Sequence, residues 1–125
     1  MQDFRNLRVW LQAHQLAIDA YALAAYLQEP RGWPLRDQIL KAAISIPSNI
    51  AEGTGRGSDA DFCRFLWYSV GSCQEFESDL LLGRDVRLIP GDVVTRLGNE
   101  VSSVRKTLIR LIQTVDPGQA ERHRG

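Results

Sequence analysis

The stretch from Ser45 to Arg56 constrains the fold more than any other part of this sequence. It places Pro47, Asn49 and Gly53 inside a segment whose apolar residues otherwise follow the three- and four-residue steps of a core-facing helix. A proline in a helix interior removes a backbone donor and costs about 3 kcal/mol. We therefore expect a helix here whose irregular residues serve packing or the binding of a partner.

Four segments show the apolar period of a helix, at residues 7–28, 35–54, 59–87 and 91–115. The links between them are short, which favours antiparallel neighbours. The sequence therefore predicts an all-α fold, an antiparallel up-down-up-down four-helix bundle with long helices, over residues 1–116. Residues 117–125 contain no large apolar side chain and are expected to form a flexible tail.

Local signals describe the end of the second helix and the start of the third. Asn49 falls on the apolar stripe of the second helix, where we expect either a satisfied buried amide or a contact to a ligand or partner. Glu52 lies where the helix dipole disfavours an anion, so Arg56 is expected to neutralise it. Ser58 followed by Asp61 is the signature of a helix N-cap.

The first and third helices each carry a second apolar seam, about 100° around the helix from the seam that faces the bundle core. On the third helix, Phe62 is assigned to the inner seam and Cys63 to the outer one. Two-faced helices in a small chain indicate contacts between subunits, and two different seams favour head-to-tail contacts that close into rings. The candidate interface residues are Trp10, Tyr21, Cys63, Trp67, Val70 and Leu81.

The sequence contains no recognisable catalytic or metal-binding constellation. Cys63 and Cys73 lie about 15 Å apart along one predicted helix, too far for a disulfide, and are expected to be reduced. His14 has no partner nearby in sequence that suits catalysis or metal binding. We expect a protein that is not an enzyme and that has no catalytic residue, metal site or cofactor.

Charge and targeting signals are weak. Fifteen Lys and Arg residues balance fifteen Asp and Glu residues, so net charge provides no long-range attraction to nucleic acid. The amino terminus lacks an apolar signal core, and no apolar run reaches the length of a membrane span. The expected location is the cytoplasm, without a membrane partner.

Folding these charges onto a bundle nevertheless gathers a surplus of basic residues at one end. In a ring of parallel subunits this surplus would repeat along one rim and attract phosphate weakly, in a salt-dependent way. The alternative is that the cations are already paired with neighbouring acids. The candidate residues of this basic rim are Arg5, Arg8, Arg56, Arg64, Lys106 and Arg110.

Several blocks of the sequence form a recognisable pattern: residues 4–10, Gln38–Ile39, Ser45–Gly53 with Arg56, Phe65–Leu66 and Gly71–Ser72. In these blocks the chain resembles the bacterial four-helix bundle proteins of the 23S rRNA intervening-sequence family. The resemblance implies an antiparallel four-helix bundle, often a ring-shaped homopentamer, with no established catalytic activity. It marks a motif with a structural or partner-binding role: Ser45, Pro47, Asn49, Glu52, Gly53 and Arg56.

A relative of that family, the accessory variability determinant of diversity-generating retroelements, is a basic pentamer that engages nucleic acid and a reverse transcriptase. This chain departs from it, because it is neutral and has Leu40–Lys41 where family members often have two basic residues. We expect a non-enzymatic homo-oligomeric scaffold or adaptor, a pentamer, that associates with RNA, DNA or a ribonucleoprotein through the basic rim. The alternatives are a module that binds only protein and, less favoured, an unrecognised enzyme.

Overall fold

The computed structural model describes the backbone of residues 3–124, and the side chains of these residues except 119, 120, 123 and 124. Most of the chain lies in four long helices: α1 (Arg8–Leu23), α2 (Trp33–Thr54), α3 (Asp59–Asp85) and α4 (Gly91–Val115). Single 3₁₀ turns lie at Phe4–Asn6, Ala24–Leu27 and Pro30–Gly32. Residues 3–124 contain no β-strand, and the predicted all-α class is confirmed.

Each long helix packs against the helix before it and the helix after it, and α4 closes the bundle against α1. The bundle is therefore the predicted antiparallel up-down-up-down arrangement. The seam between α2 and α3 is the most extensive of the four, and the seam between α1 and α4 is the sparsest. The core between them is apolar and includes Leu16, Ile46, Phe76 and Leu108, each almost fully buried.

Both ends of α3 are closed by local hydrogen bonds. The hydroxyl of Ser58 accepts a bond of 3.1 Å from the backbone N–H of Asp61, which confirms the predicted N-cap. At the other end Arg87 adopts a left-handed backbone conformation with φ of 63°, and the N–H of Leu88 donates to the carbonyl of Gly83 at 2.9 Å. A Cβ atom at Gly83 would lie 2.8 Å from Cγ1 of Ile89, so the loop after α3 can fold back only onto a glycine.

The largest differences from the predicted boundaries lie at the end of α1 and after α4, while the start of α2 and the end of α3 each differ by two residues. The α-helical geometry of α1 ends at Leu23, and the chain tightens into the 3₁₀ turn Ala24–Leu27 before Pro30 starts the next turn. Residues 117–125 were expected to form a flexible tail, but the segment Pro117–Arg124 forms a short helix, α5, which contacts α4. Proline has a fixed φ that suits the first position of a helix, and Pro117 is the first residue of α5. A prediction based on apolar content alone does not include this effect. Gly125 lies outside the described residues.

Candidate functional site

The six motif residues between Ser45 and Arg56, called the α2 motif below, divide between two sides of the helix. Pro47 and Gly53 are buried and face the bundle. The remaining four residues are half-buried or exposed and follow steps of four, three and four residues, so they form one polar stripe that runs along α2 and ends at Arg56, two residues after the helix. This stripe consists of Ser45, Asn49, Glu52 and Arg56. The motif therefore combines a packing role and a surface in a single helix.

The buried side of the motif sets how closely α2 and α3 approach. A Cβ atom at Gly53 would lie 3.0 Å from both Cδ1 of Phe62 and Cβ of Phe65. The hydroxyl of Ser69, a fully buried residue, donates a bond of 2.8 Å to the carbonyl of Ile46. These contacts fix the register of α2 and α3. The buried hydroxyl of Ser69 has a hydrogen-bond partner, as a buried polar group requires.

The polar stripe is tied to α3 through hydroxyl groups. The side-chain amide of Asn49 donates to the carbonyl and to the hydroxyl of Ser45, both at 2.9 Å. The hydroxyl of Ser45 is in turn 2.7 Å from that of Ser72 on α3. Asn49 is half-buried and lies beside the core stripe rather than on it, because Ile46 and Ile50 occupy the inner positions. Its amide is satisfied within its own helix.

Charged and aromatic side chains cluster where α2 ends and α3 begins. The guanidinium carbons of Arg56 and Arg64 lie 4.6 Å and 4.9 Å from the centre of the Phe65 ring. Arg56 forms an ion pair of 2.7 Å with Glu52, as predicted, and Arg64 forms one of 3.3 Å with Asp61. The ring and the two carboxylates therefore hold both arginines in place.

The residues of the predicted basic rim fall into two groups. Arg5 is paired with Asp3 at 3.0 Å, and Arg56 and Arg64 are paired as described above. This pairing lowers the pKa of Asp3 through the side-chain and backbone hydrogen bonds from Arg5. The other group is exposed and forms no ion pair with any residue that the structure describes. It consists of Arg8, Lys106 and Arg110.

The candidate interface residues do not share one surface. Cys63 was assigned to an outer seam, but it is fully buried inside the subunit, within electrostatic range of Asp116 after the end of α4, so it is excluded from any interface. The reason is that α3 is apolar over a wide arc, and the period of the sequence did not fix its rotation. Two candidates are strongly exposed, Tyr21 and Leu81. The other three are half-buried and pack against the core: Trp10, Trp67 and Val70.

A polar cluster at the seam between α1 and α4 was not predicted from the sequence. The amide of Gln15 donates a bond of 3.0 Å to a carboxylate oxygen of Asp19, and the carboxyl of Glu100 lies within hydrogen-bond range of Asp19. Burial and the neighbouring Asp19 raise the pKa of Glu100 to about 7, against an opposing effect of Arg96. Oε1 of Gln12 is buried and has no hydrogen-bond partner among the described residues. No sequence signal could have found this cluster, because its members come from the first and last long helices.

The thiols and carboxylates of the described residues offer little reactive chemistry. Burial raises the pKa of Cys63 to about 11 and that of Cys73 to about 12, so neither thiol supplies the thiolate that a nucleophile requires. Among the residues that the structure describes, no three His, Cys, Asp or Glu side chains are grouped in a way that could hold a metal ion. Within the same residues, every helix is too short or too polar to cross a bilayer.

The fold and the α2 motif together define the chain as an all-α bundle protein with a tightly packed α2–α3 hairpin. A family model of 23S rRNA-intervening sequence proteins matches residues 5–110, and the chain belongs to that family. This chain is similar to a solved structure of a protein with unknown function from the S23 ribosomal protein family of Bacteroides thetaiotaomicron. The two chains are 26% identical, the match covers 84% of this chain and 98% of that chain, and the TM-score is 0.80. No curated protein matches the chain.

Proposed function

We propose that the protein is a non-enzymatic scaffold that assembles into a ring of identical subunits, a homopentamer in the cytoplasm, and that it binds partners on this assembled surface. The observation that carries the proposal is the exposure of large apolar side chains on two separate helices. On α1 these are Leu11, Ile18 and Tyr21, and on α3 they are Tyr68, Leu81 and Leu82, with Val86 directly after the helix. Such side chains are ordinary when scattered, but here Leu11, Ile18 and Tyr21 lie on one side of α1, and Tyr68 and Leu82 lie on one side of α3.

The two apolar faces differ, which favours a head-to-tail contact between subunits. Ile18 on α1 is 50% exposed and Leu82 on α3 is 52% exposed. If the α1 face of one subunit binds the α3 face of the next, every subunit uses both faces and the chain of subunits closes on itself. The number of subunits in this proposal rests on the family resemblance alone.

Light scattering with two charge-introducing variants tests the assembly. The wild-type protein is expected at several times the subunit mass of 14.1 kDa, and Ile18→Glu or Leu82→Glu is expected to be monomeric. Because each variant keeps one intact face, an equimolar mixture of the two should form a one-to-one dimer that grows no further. Asn99→Glu, on an exposed position of α4, is the matched control and should leave the ring intact. A wild-type monomer at micromolar concentration, or rings formed by both variants alone, would contradict the proposal.

A second candidate function is sequence-independent binding of RNA or DNA. It is supported by Lys106 and Arg110, which lie one turn apart on the exposed side of α4 and line a polar depression of about 250 Å³ with Asn99, Ser102, Ser103 and Thr107. Cations without a carboxylate partner and neutral hydroxyl groups suit phosphate oxygens. The paired arginines of the rim are less suited, since a phosphate would have to displace Asp61 or Glu52.

Binding to RNA and DNA at low and physiological salt tests this second candidate. The variant Lys106→Glu/Arg110→Glu is expected to lose low-salt binding, whereas Arg64→Glu, which removes an already paired cation, should weaken it less. Capture of partners from lysate with and without nuclease then separates protein partners from nucleic acid. Absence of low-salt binding, or binding indifferent to both charge reversals, would leave the protein-only scaffold as the function.

A further inference from the structure

The seam between α1 and α4 brings two carboxyl groups together at a place with few other contacts. Asp19 on α1 and Glu100 on α4 are both half-buried, and their carboxyl groups lie within hydrogen-bond range of each other. Among the described residues, the charged groups that act on Glu100 are Asp19 from the facing helix and Arg96 from its own helix. A cavity of about 260 Å³ beside Glu100 is also lined by Gln12 and Gln15.

Two ionised carboxylates at this separation repel each other, whereas a protonated one can donate a hydrogen bond to the other. The side-chain amide of Gln15 donates a hydrogen bond of 3.0 Å to Oδ1 of Asp19, so Asp19 acts as an acceptor in this cluster. The buried Oε1 of Gln12 adds a further acceptor to the same cavity and has no donor among the described residues. The surroundings are therefore rich in acceptors, and a proton on Glu100 supplies a donor.

We propose that Asp19 and Glu100 share one proton across the α1–α4 seam, and that this proton is a clasp whose loss loosens the seam. The clasp joins the first and the last of the four long helices, so its release separates α1 from α4 while the α2–α3 hairpin keeps its own contacts. Regulation by pH is then built into the sparsest seam of the bundle.

The direction of the pH dependence follows from the raised pKa of Glu100. Its pKa is about 7 in the folded protein against an ordinary value of 4.5, so between these limits the folded state binds more protons than the unfolded state. The stability that protonated Glu100 contributes is therefore fully present below pH 4.5 and is lost as pH rises through 7. Because Glu100 is partly exposed, we expect the unfolding constant to rise about tenfold over this window, less than the full linkage would give.

Hydrogen exchange and thermal melts between pH 5 and pH 8.5 test the clasp. In wild type, protection of α1 and α4 amides, corrected for the intrinsic pH dependence of exchange, should fall about tenfold over this range. The melting temperature should fall by roughly 3–6 °C. Glu100→Gln keeps a donor and cannot ionise, so it should remove this additional dependence. The matched control Glu29→Gln, an exposed carboxylate changed in the same way, should behave as wild type.

A second variant protects the test against a failure to fold. Asp19→Asn removes the facing charge from the other helix and should also flatten the pH profile. The proposal is overturned if Glu100→Gln and wild type share the same pH dependence. It is equally overturned if the amides of α1 and α4 keep their protection between pH 5 and pH 8.5.

Discussion

The seam between α2 and α3 and the seam between α1 and α4 use polar groups in opposite ways. At the first, the buried hydroxyl of Ser69 is bonded to the carbonyl of Ile46, and Ser45 is bonded to Ser72. At the second, a buried oxygen of Gln12 has no partner among the described residues. A satisfied polar contact adds about 1 kcal/mol and specifies one register, whereas an unsatisfied one costs free energy and leaves the seam adjustable. One bundle thus contains a rigid hairpin and a weaker closing contact.

The largest expected effect is at the rigid seam, in Gly53→Leu. Its Cβ would lie 3.0 Å from atoms of Phe62 and Phe65, so α2 and α3 would have to separate. We expect a loss of about 3 kcal/mol of unfolding free energy, measured in urea. The control Gly98→Leu places the same side chain where a Cβ meets nothing within 4 Å, and it should be neutral or slightly stabilising. Equal losses in both variants would remove the argument from close packing.

A smaller loss is expected for Ser69→Ala, which deletes the hydroxyl that binds Ile46. The site is fully buried, so water cannot replace the bond, and the cost should be about 1–2 kcal/mol in a denaturant melt. Ser78→Ala on the exposed side of α3 is the matched control and should cost nothing measurable. If the two serines behave alike, the hydroxyl of Ser69 has no role in register.

Removal of a polar group at the seam between α1 and α4 should increase the free energy of unfolding, opposite in sign to the effect of Ser69→Ala. Gln12→Met has a similar volume and removes the buried oxygen that has no partner among the described residues. We therefore expect a gain of about 0.5–1 kcal/mol, visible as a higher melting temperature. A destabilised Gln12→Met would mean that this oxygen is satisfied in solution, and the contrast between the two seams would disappear.

The smallest effect is expected for Pro47→Ala. The variant regains an N–H that can bond to the carbonyl of Ala43, worth about 1 kcal/mol, and loses the buried ring of Pro47, worth about the same. The net change should not exceed about 0.5 kcal/mol in the same urea melts used for Gly53→Leu. A loss larger than that of Gly53→Leu would show that the proline, rather than the glycine, sets the approach of α2 and α3.

The sequence predicts contacts at the seam between α2 and α3 far better than contacts at the seam between α1 and α4. The N-cap joins Ser58 to Asp61, three residues apart, and the ion pair joins Glu52 to Arg56, four residues apart. Both could therefore be predicted without knowledge of the tertiary structure. The rotation of α3 could not be predicted, because Cys63 sits beside other apolar residues on a broad arc.

The α1–α4 cluster lay beyond sequence reasoning for a different reason. Asp19 and Glu100 each look like an ordinary surface carboxylate within its own helix. Only the packing of α4 on α1 brings them together, and that contact has no local signature. The basic rim was predicted by counting charges. Such a count cannot distinguish Arg64, which is paired with Asp61, from Arg110, which forms no ion pair with any described residue.

The short link between α2 and α3 also has a consequence for the order of folding. Contacts across this hairpin join residues close in sequence, as with Ser45 and Ser72, which are 27 residues apart, so little chain entropy is lost in forming them. Ser69→Ala should accordingly slow refolding in stopped-flow experiments, while Gln12→Met should change mainly the unfolding rate. During synthesis α1 is the first of the four long helices to emerge and α4 is the last. The buried face of α1, with Leu16 and Leu23, must therefore wait for α4 with only the hairpin to cover it.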